Sequence, residues 1–177
     1  MFKSPIYQIS TFTIVATLFS GCASTYEHTE LQAVSVALDG AQGVLISTPK
    51  DGWYAEKEYR NSGAMTANSV RAAFSKHAST VEVVNTCHGD DCLASIDTER
   101  FGYYVKPEIL QWEDRNTEWS GKKDIIEIQI AIYDAATKQE LANSTYTGKS
   151  KWATFGGDHP QDLLAEPTNE FVSGLYE

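Results

Sequence analysis

The chain has 177 residues and a formal net charge of −10, from 24 acidic and 14 basic side chains. This acidic balance disfavours nucleic acid as a partner, because a negative surface repels the phosphate backbone. The length suits a single domain with its own hydrophobic core. The composition therefore predicts one globular domain that does not bind DNA or RNA.

The amino-terminal segment has the layout of a secretory signal peptide. Lys3 precedes a mostly apolar run at residues 6–19, which is shorter than the roughly 20 residues that a membrane-spanning helix needs. The small residues Ser20 and Gly21 stand before Cys22, a pattern that resembles the bacterial lipobox. We expect cleavage before Cys22, diacylglycerol on its thiol and palmitate on the new amine. An ordinary signal peptide with a chance cysteine is the alternative.

Lipid at Cys22 would decide where the rest of the chain works. Several acyl chains exceed the single chain that gives only marginal anchoring. Ala23 follows the cysteine, and the absence of aspartate there favours the outer membrane, with the domain facing the periplasm. We expect residues 1–21 to be the signal peptide, residues 22–40 a lipidated tether, and residues 41–177 a single domain.

The first half of the domain alternates strand and helix patterns. Residues 43–47 are apolar and end before Pro49, which predicts a buried strand and a turn. Three aromatic residues are expected in the loop that follows: Trp53, Tyr54 and Tyr59. The next apolar positions have the spacing of one helix face: Ala67, Val70, Ala73, Phe74 and His77. Ser62 or Thr66 would cap this helix, and residues 80–84 predict a second strand.

The second half contains the clearest strand pattern. Residues 93–100 fit a short helix, and a strand is expected to open at Tyr103. Pro107 within that strand indicates a sheet edge or a bulge, because proline cannot donate a backbone hydrogen bond. Four isoleucines then alternate with other residues: Ile126, Ile128, Ile130 and Ile132. This predicts a strand with one buried face, a hairpin turn at 134–138 and a returning strand at 141–147.

The chain ends in a helical pattern over residues 160–176, with Leu164, Phe171 and Leu175 on one face. Pro167 should divide it into two short helices. The predicted order is β-α-β-α-β-β-β-α. It indicates an α/β fold, a two-layer mixed sheet with helices mainly on one face.

Cys87 and Cys92 are the two cysteines that remain once Cys22 is assigned to lipid. An even pair in an oxidising compartment favours a disulfide. The segment between them contains His88 and two aspartates, and zinc accepts all of these ligand types. A second ligand pair at metal spacing does not occur in the sequence. A disulfide is therefore favoured over a metal site or redox-active thiols, and no cofactor is predicted.

Residues 156–162, Gly-Gly-Asp-His-Pro-Gln-Asp, place Asp158 beside His159. A suitably placed serine could complete this pair into a hydrolase triad. A structural role is favoured, since Pro160 suits the first position of a helix, His159 the cap and Asp162 the first turn. Common motifs for nucleophilic, phosphate-binding or zinc chemistry are absent from the sequence.

Three tryptophans lie among charged residues, and aromatic groups in polar surroundings can mark an interface. Half-buried packing at a sheet edge is the commoner explanation of such residues. With the loop before the final helices they form the candidate interaction surface: Trp112, Trp119, Trp152, Gly156, Gly157, Asp158 and His159.

Three segments resemble the bacterial lipoprotein family catalogued as domain of unknown function 4823. They are residues 109–115, residues 117–122 and the longest and most specific one, residues 148–164. The likeness runs from about Gly43 to Leu175, and the lipobox is in keeping with it. The family carries no established activity that could be transferred to residues here. The order of elements is also similar to the amino-terminal domain of the periplasmic protein TolB, a likeness of fold alone.

The sequence thus predicts an outer-membrane lipoprotein whose non-enzymatic domain binds or helps to assemble another envelope protein. One alternative is a hydrolase that uses His159 with Asp158. Another is a metal-dependent enzyme that uses His88 with Cys87 and Cys92. A small-ligand carrier is a further alternative, which would need an apolar cavity beneath the helices.

Overall fold

The computed structural model describes residues 24–115, 122–151 and 159–177. Its strands are β1 (Thr25–Gln32), β2 (Val44–Ser47), β3 (Gly52–Tyr54), β4 (Lys57–Tyr59), β5 (Val81–Val84), β6 (Tyr103–Glu113), β7 (Ile125–Asp134) and β8 (Glu140–Lys149). Its helices are α1 (Ser62–Phe74), α2 (Asp90–Ala94), a 3₁₀ helix (Pro160–Leu163) and α3 (Ala165–Gly174). None of the described helices has the length and apolar character to cross a membrane.

Six strands form one mixed sheet in the order β1-β8-β7-β6-β2-β5, and β3 pairs with β4 in a separate hairpin. The four alternating isoleucines of β7 are completely buried and pack in one core with Val70 and Phe74 of α1. Each such side chain contributes about 1.5–3 kcal/mol by leaving water. α1 and α3 contact each other and lie on this face.

The opposite face of the sheet has a smaller core beneath α2. Tyr104 faces it while its neighbour Val105 faces the main core, because successive strand residues point to opposite sides. Cys92 and Leu93 of α2 cover Tyr104. The prediction of a two-layer mixed α/β sheet with helices mainly on one face is therefore confirmed.

β6 shows why a proline can occur within a long strand. The Tyr103 N–H donates to the Gly43 carbonyl at 3.1 Å, and the pairing of β6 with β2 ends at Val105. Backbone groups of alternate residues point the same way, so Pro107 faces the side where β2 has already ended. A bulge follows between Ile109 and Gln111. The expectation of an edge or a bulge at Pro107 is therefore met only locally: β6 is an inner strand that loses its β2 neighbour before Pro107, and the bulge lies beyond Pro107.

β1 differs from the sequence prediction. The expected tether at residues 22–40 is wrong for Thr25–Gln32, which pairs antiparallel with β8 from Thr25↔Lys149 onward. Nearly all its side chains are exposed, so the strand depends on backbone pairing and shows no buried alternation in its sequence. The sheet therefore begins immediately after the predicted lipid site.

The aromatic loop predicted after β2 is also wrong, because β3 and β4 form a hairpin there. Its turn has Ala55 at a φ of 53°, a left-handed conformation that glycine or asparagine usually supplies. Trp53 pairs with Glu58 across this hairpin. Without a glycine in the turn, the sequence lacks the usual signal for a hairpin.

The predicted division of the last segment into two helices is confirmed, but the division falls at Leu164 and not at Pro167. Pro167 lies in the first turn of α3, where backbone N–H groups have no partner within the helix, so its missing donor costs little. The short helix predicted at residues 93–100 instead spans Asp90–Ala94.

Candidate functional site

A groove of about 610 Å³ lies at the carboxyl end of β2. β2 runs parallel to both β5 and β6, and the carboxyl ends of parallel strands are a common place for binding sites. The turn at residues 48–51, the loop at 88–91 and residues 106–110 of β6 form its walls. A second hollow of about 480 Å³ continues it toward Trp53. We call the two together the β2 groove.

The turn wall is fixed by Asp51, which also starts α1. Its carboxylate accepts hydrogen bonds from the N–H groups of Asn61 at 2.9 Å and Gly63 at 2.8 Å. The predicted caps were Ser62 or Thr66, yet the Ser62 hydroxyl instead accepts the Gly52 N–H at 2.8 Å. Because Asp51 already neutralises the positive end of α1, this helix end is not an open anion site.

Close packing explains the glycine at the start of α1. A Cβ added to Gly63 would lie 2.2 Å from the carbonyl oxygen of Pro49. Such a distance is too short for any side chain. Gly63 therefore lets the turn wall rest directly on the helix.

The loop wall is closed by the Cys87–Cys92 disulfide, with the Cα atoms 5.3 Å apart. This confirms the predicted pairing, and both thiols are used in the bond. Within the described ranges, no cluster of three or more potential ligand side chains could hold a metal ion. His88 Nδ1 lies 2.9 Å from the Thr48 carbonyl oxygen, so this nitrogen must carry the proton to donate a hydrogen bond.

Ser47 forms the floor of the groove and is 1% exposed. Its hydroxyl makes no hydrogen bond of acceptable geometry to any described residue. The neighbouring Tyr104 hydroxyl donates to the Gly89 carbonyl at 2.6 Å. Burial raises the pKa of Tyr104, and the proximity of Ser47 and Lys106 only partly opposes this shift. The floor is therefore a neutral pair of hydroxyls without a base bonded to Ser47.

The β6 wall carries charge. Lys106 Nζ lies 3.1 Å from Asp90 and 3.6 Å from Glu108. Burial alone would lower the pKa of Lys106, but the hydrogen bond to Asp90 and the surrounding negative charge raise it. The ammonium therefore stays protonated and ties β6 to the disulfide loop.

The rim of the groove is apolar and exposed. Trp53 is 58% exposed and Leu110 49% exposed. The bulge in β6 turns Leu110 outward while Ile109 and Trp112 both face the main core. β3 approaches β6 closely because of Gly52, where an added Cβ would lie 2.7 Å from the Trp112 Cβ. Large apolar groups at a polar groove are typical of protein interfaces.

The predicted interaction surface is only partly within the described residues. Trp112 is 3% exposed, so it belongs to the core, in agreement with a packing role and against a place on the surface. Five of the predicted surface residues lie outside the described ranges: Trp119, Trp152, Gly156, Gly157 and Asp158. Of the predicted set, only Trp112 and His159 lie within the described ranges.

His159 is exposed and directly precedes the 3₁₀ helix. Its backbone N–H donates to the Asp162 carboxylate at 3.0 Å, and Pro160 occupies the first helical position. This confirms the predicted structural role of His159, Pro160 and Asp162 at the start of a helix.

The sequence did not predict the residues of the β2 groove as a site. Ser47 and Lys106 are far apart in the chain and meet only because β2 pairs with β6. The one usable signal was Pro107, since an edge or bulge in β6 implies an open wall there.

Solved structures share this fold at low sequence identity. PelC from Paraburkholderia phytofirmans, solved as a dodecamer, has 11% identity and a TM-score of 0.65, covering 86% of this chain and 97% of PelC. A Xanthomonas campestris protein of family DUF330 has 13% identity and a TM-score of 0.52, covering 82% of this chain and 90% of that one. These likenesses concern the fold alone.

A search of curated proteins found no significant match. The family model described as Domain of unknown function (DUF4823) matches residues 37–175, nearly the whole folded domain and close to the range over which the sequence resembles that family. This chain belongs to the DUF4823 family.

Proposed function

We propose that this protein is an outer-membrane lipoprotein, anchored through Cys22, whose periplasm-facing domain binds another envelope protein without catalysing a reaction. The observation that supports binding is the β2 groove with exposed Trp53 and Leu110 on its rim. Partners commonly bury such large side chains at the energetic centre of an interface.

The chemistry of the groove favours binding over catalysis. The Ser47 hydroxyl has no general base bonded to it, and His88 is held by the Thr48 carbonyl. A nucleophile needs an adjacent base or a lowered pKa to be activated. Cys87 and Cys92 are bonded to each other, so neither offers a thiolate.

A protein partner also fits better than a small apolar ligand. The space between the main helices and the sheet is filled by completely buried side chains, among them Val70, Phe74 and Ile128. The β2 groove is instead bordered by charged groups such as Lys106 and Asp91. Because PelC was solved as a dodecamer, a second copy of this chain is one partner that an experiment must be able to report.

Trp53→Ala tests the binding proposal in living cells. Tagged full-length protein is cross-linked and purified, and the recovered proteins are identified by mass spectrometry. We expect Trp53→Ala to lower recovery of one envelope protein at least tenfold, since a central tryptophan contributes about 2 kcal/mol or more. The matched control is Leu31→Ala, because Leu31 is 57% exposed and lies on β1, away from the groove. Equal recovery from both variants and the unaltered protein would refute the groove as the binding surface.

Cys22→Ser tests the anchor separately. The unaltered protein should incorporate radiolabelled palmitate and sediment with outer membranes, whereas the variant should do neither. Unchanged incorporation in the variant would place the lipid elsewhere and refute anchoring through Cys22.

A further inference from the structure

β1 leaves almost no spacer between the proposed anchor and the folded domain. Thr25 follows Cys22 by three residues, and three extended residues reach at most about 11 Å. β1 is held in the sheet by regular pairing with β8, from Thr25↔Lys149 to Glu30↔Ser144. The lipid would therefore hold the sheet itself, and not a free segment ahead of it.

The strands end level at the position where β1 begins. Thr25 pairs with Lys149, Lys149 pairs with Ile125, and Ile125 pairs with Glu113. These four residues form one row across β1, β8, β7 and β6. An anchor within about 11 Å of Thr25 is thus close to the ends of four strands at once.

Charged side chains of both signs lie at this end. Its basic residues are Arg115, Lys122, Lys123, Lys149 and Lys151. Arg115 pairs with the buried Glu113 and its N–H donates to the Asp124 carboxylate at 2.6 Å, and Lys149 lies 3.7 Å from Glu27. At the other end of the β7–β8 hairpin, Lys138 lies between Asp134 and Glu140. The short link to the anchor, and not charge, therefore distinguishes the two ends.

We infer that the strand end formed by Thr25, Lys149, Ile125 and Glu113 rests against the head groups of the membrane, with β1 holding the sheet upright. The inference depends on the proposed acylation of Cys22. The short link from Cys22 to β1 and the level ends of the four strands favour this orientation.

This orientation places the β2 groove close to the membrane. Leu110 lies three positions before Glu113 in β6, a distance of about 10 Å along a strand. A partner that contacts Leu110 must then itself lie at the membrane surface. The inference thus narrows the partner class to proteins that sit at the same membrane.

Energy transfer to labelled lipids tests the orientation. A donor dye is attached in turn to Lys149→Cys and to Gln139→Cys in acylated full-length protein. The two positions are the lower and upper ends of the β8 hairpin arm, about 30 Å apart at the rise of a strand. Vesicles contain phosphatidylglycerol and a head-group acceptor. We expect strong energy transfer from the dye at position 149. Transfer from the dye at position 139 should be much weaker, since that dye lies about 30 Å farther from the lipid plane.

The matched control is a flexible ten-residue Gly-Ser insertion between Ala23 and Ser24, whose mean end-to-end distance is about 17 Å. It should shrink the difference between the two donors while the protein still floats with the vesicles. Equal transfer from both positions without the insertion would overturn the inference and leave the anchor intact. Failure of the unmodified protein to float with vesicles would overturn the anchor as well, so the two failures are distinguishable.

Discussion

The hydrogen bond between Tyr146 and Thr168 connects β8 to α3 inside the main core. The two hydroxyl oxygens are 2.7 Å apart, and the residues are 1% and 0% exposed. Tyr146→Phe would leave the Thr168 hydroxyl buried without this partner, and Thr168→Val would do the same to the phenol. An unsatisfied buried hydroxyl costs about 1–3 kcal/mol. Each single variant should therefore lower the free energy of unfolding by that amount.

The double variant distinguishes an interaction from two independent losses. Removing both hydroxyls leaves no unpaired group, so it should cost less than the sum of the single changes by about 1 kcal/mol or more. Urea unfolding followed by circular dichroism measures all four proteins. Thr147→Val, on the opposite face of β8 where Thr147 is half-buried, is the control and should change stability by no more than about 0.5 kcal/mol. Strictly additive losses would refute the coupling between the hydroxyls.

Three further predictions concern the disulfide, alkaline pH and Trp119. The Cys87–Cys92 bond closes a loop with a sequence separation of 5. Its reduction should lower the free energy of unfolding, measured by urea titration, by about 2 kcal/mol on the loop-entropy estimate. A Cys87→Ala/Cys92→Ala variant should show no change in that free energy when reductant is added. Burial raises the pKa of Tyr176 to about 12. Because the folded pKa lies above the unfolded value, the neutral Tyr176 phenol contributes to stability below pH 10, and this contribution is lost between pH 10 and 12. The free energy of unfolding should fall by less than about 1.4 kcal/mol per pH unit. Tyr176→Phe should make this fall with pH smaller in melting experiments. Trp119→Ala should lower recovery of the cross-linked partner while its circular dichroism spectrum stays unchanged; undiminished recovery would remove Trp119 from the interaction surface.

Elements with one buried face were the predictable part of the fold. The sequence predicts β7 from its alternating isoleucines and α1 from the spacing of apolar residues such as Val70 and Phe74. In both elements, apolar residues recur with the period of the strand or helix because one face is buried. Pro107 was informative as well, because a residue without a backbone N–H is tolerated at only a few positions in a sheet.

Elements stabilised by pairing alone could not be predicted. The side chains of β1 are nearly all exposed, so no alternation marks the strand, and its partner β8 lies more than a hundred residues later in the chain. The hairpin of β3 and β4 is equally hidden, because Ala55 supplies the positive φ that glycine usually takes. In both cases the tertiary contact determines the local structure.

The candidate site divides in the same way. The disulfide and the role of His159 followed from local spacing and from helix-start chemistry. The β2 groove did not, because Ser47, Lys106 and Trp53 come from three separate segments that only the folded sheet and hairpin bring near one another. Trp112 was misjudged for a related reason, since the bulge before it turns its side chain into the core.

Photo-cross-linking from Leu110 tests the central claim most directly, namely that the β2 groove binds an envelope protein at the membrane. A photoreactive amino acid replaces Leu110 in one strain and Leu31 in another, and both are irradiated in living cells. We expect one defined adduct from position 110, containing a membrane-associated protein or a second copy of this chain, and no such adduct from position 31. The same adduct from both positions, or none from position 110, would contradict the account.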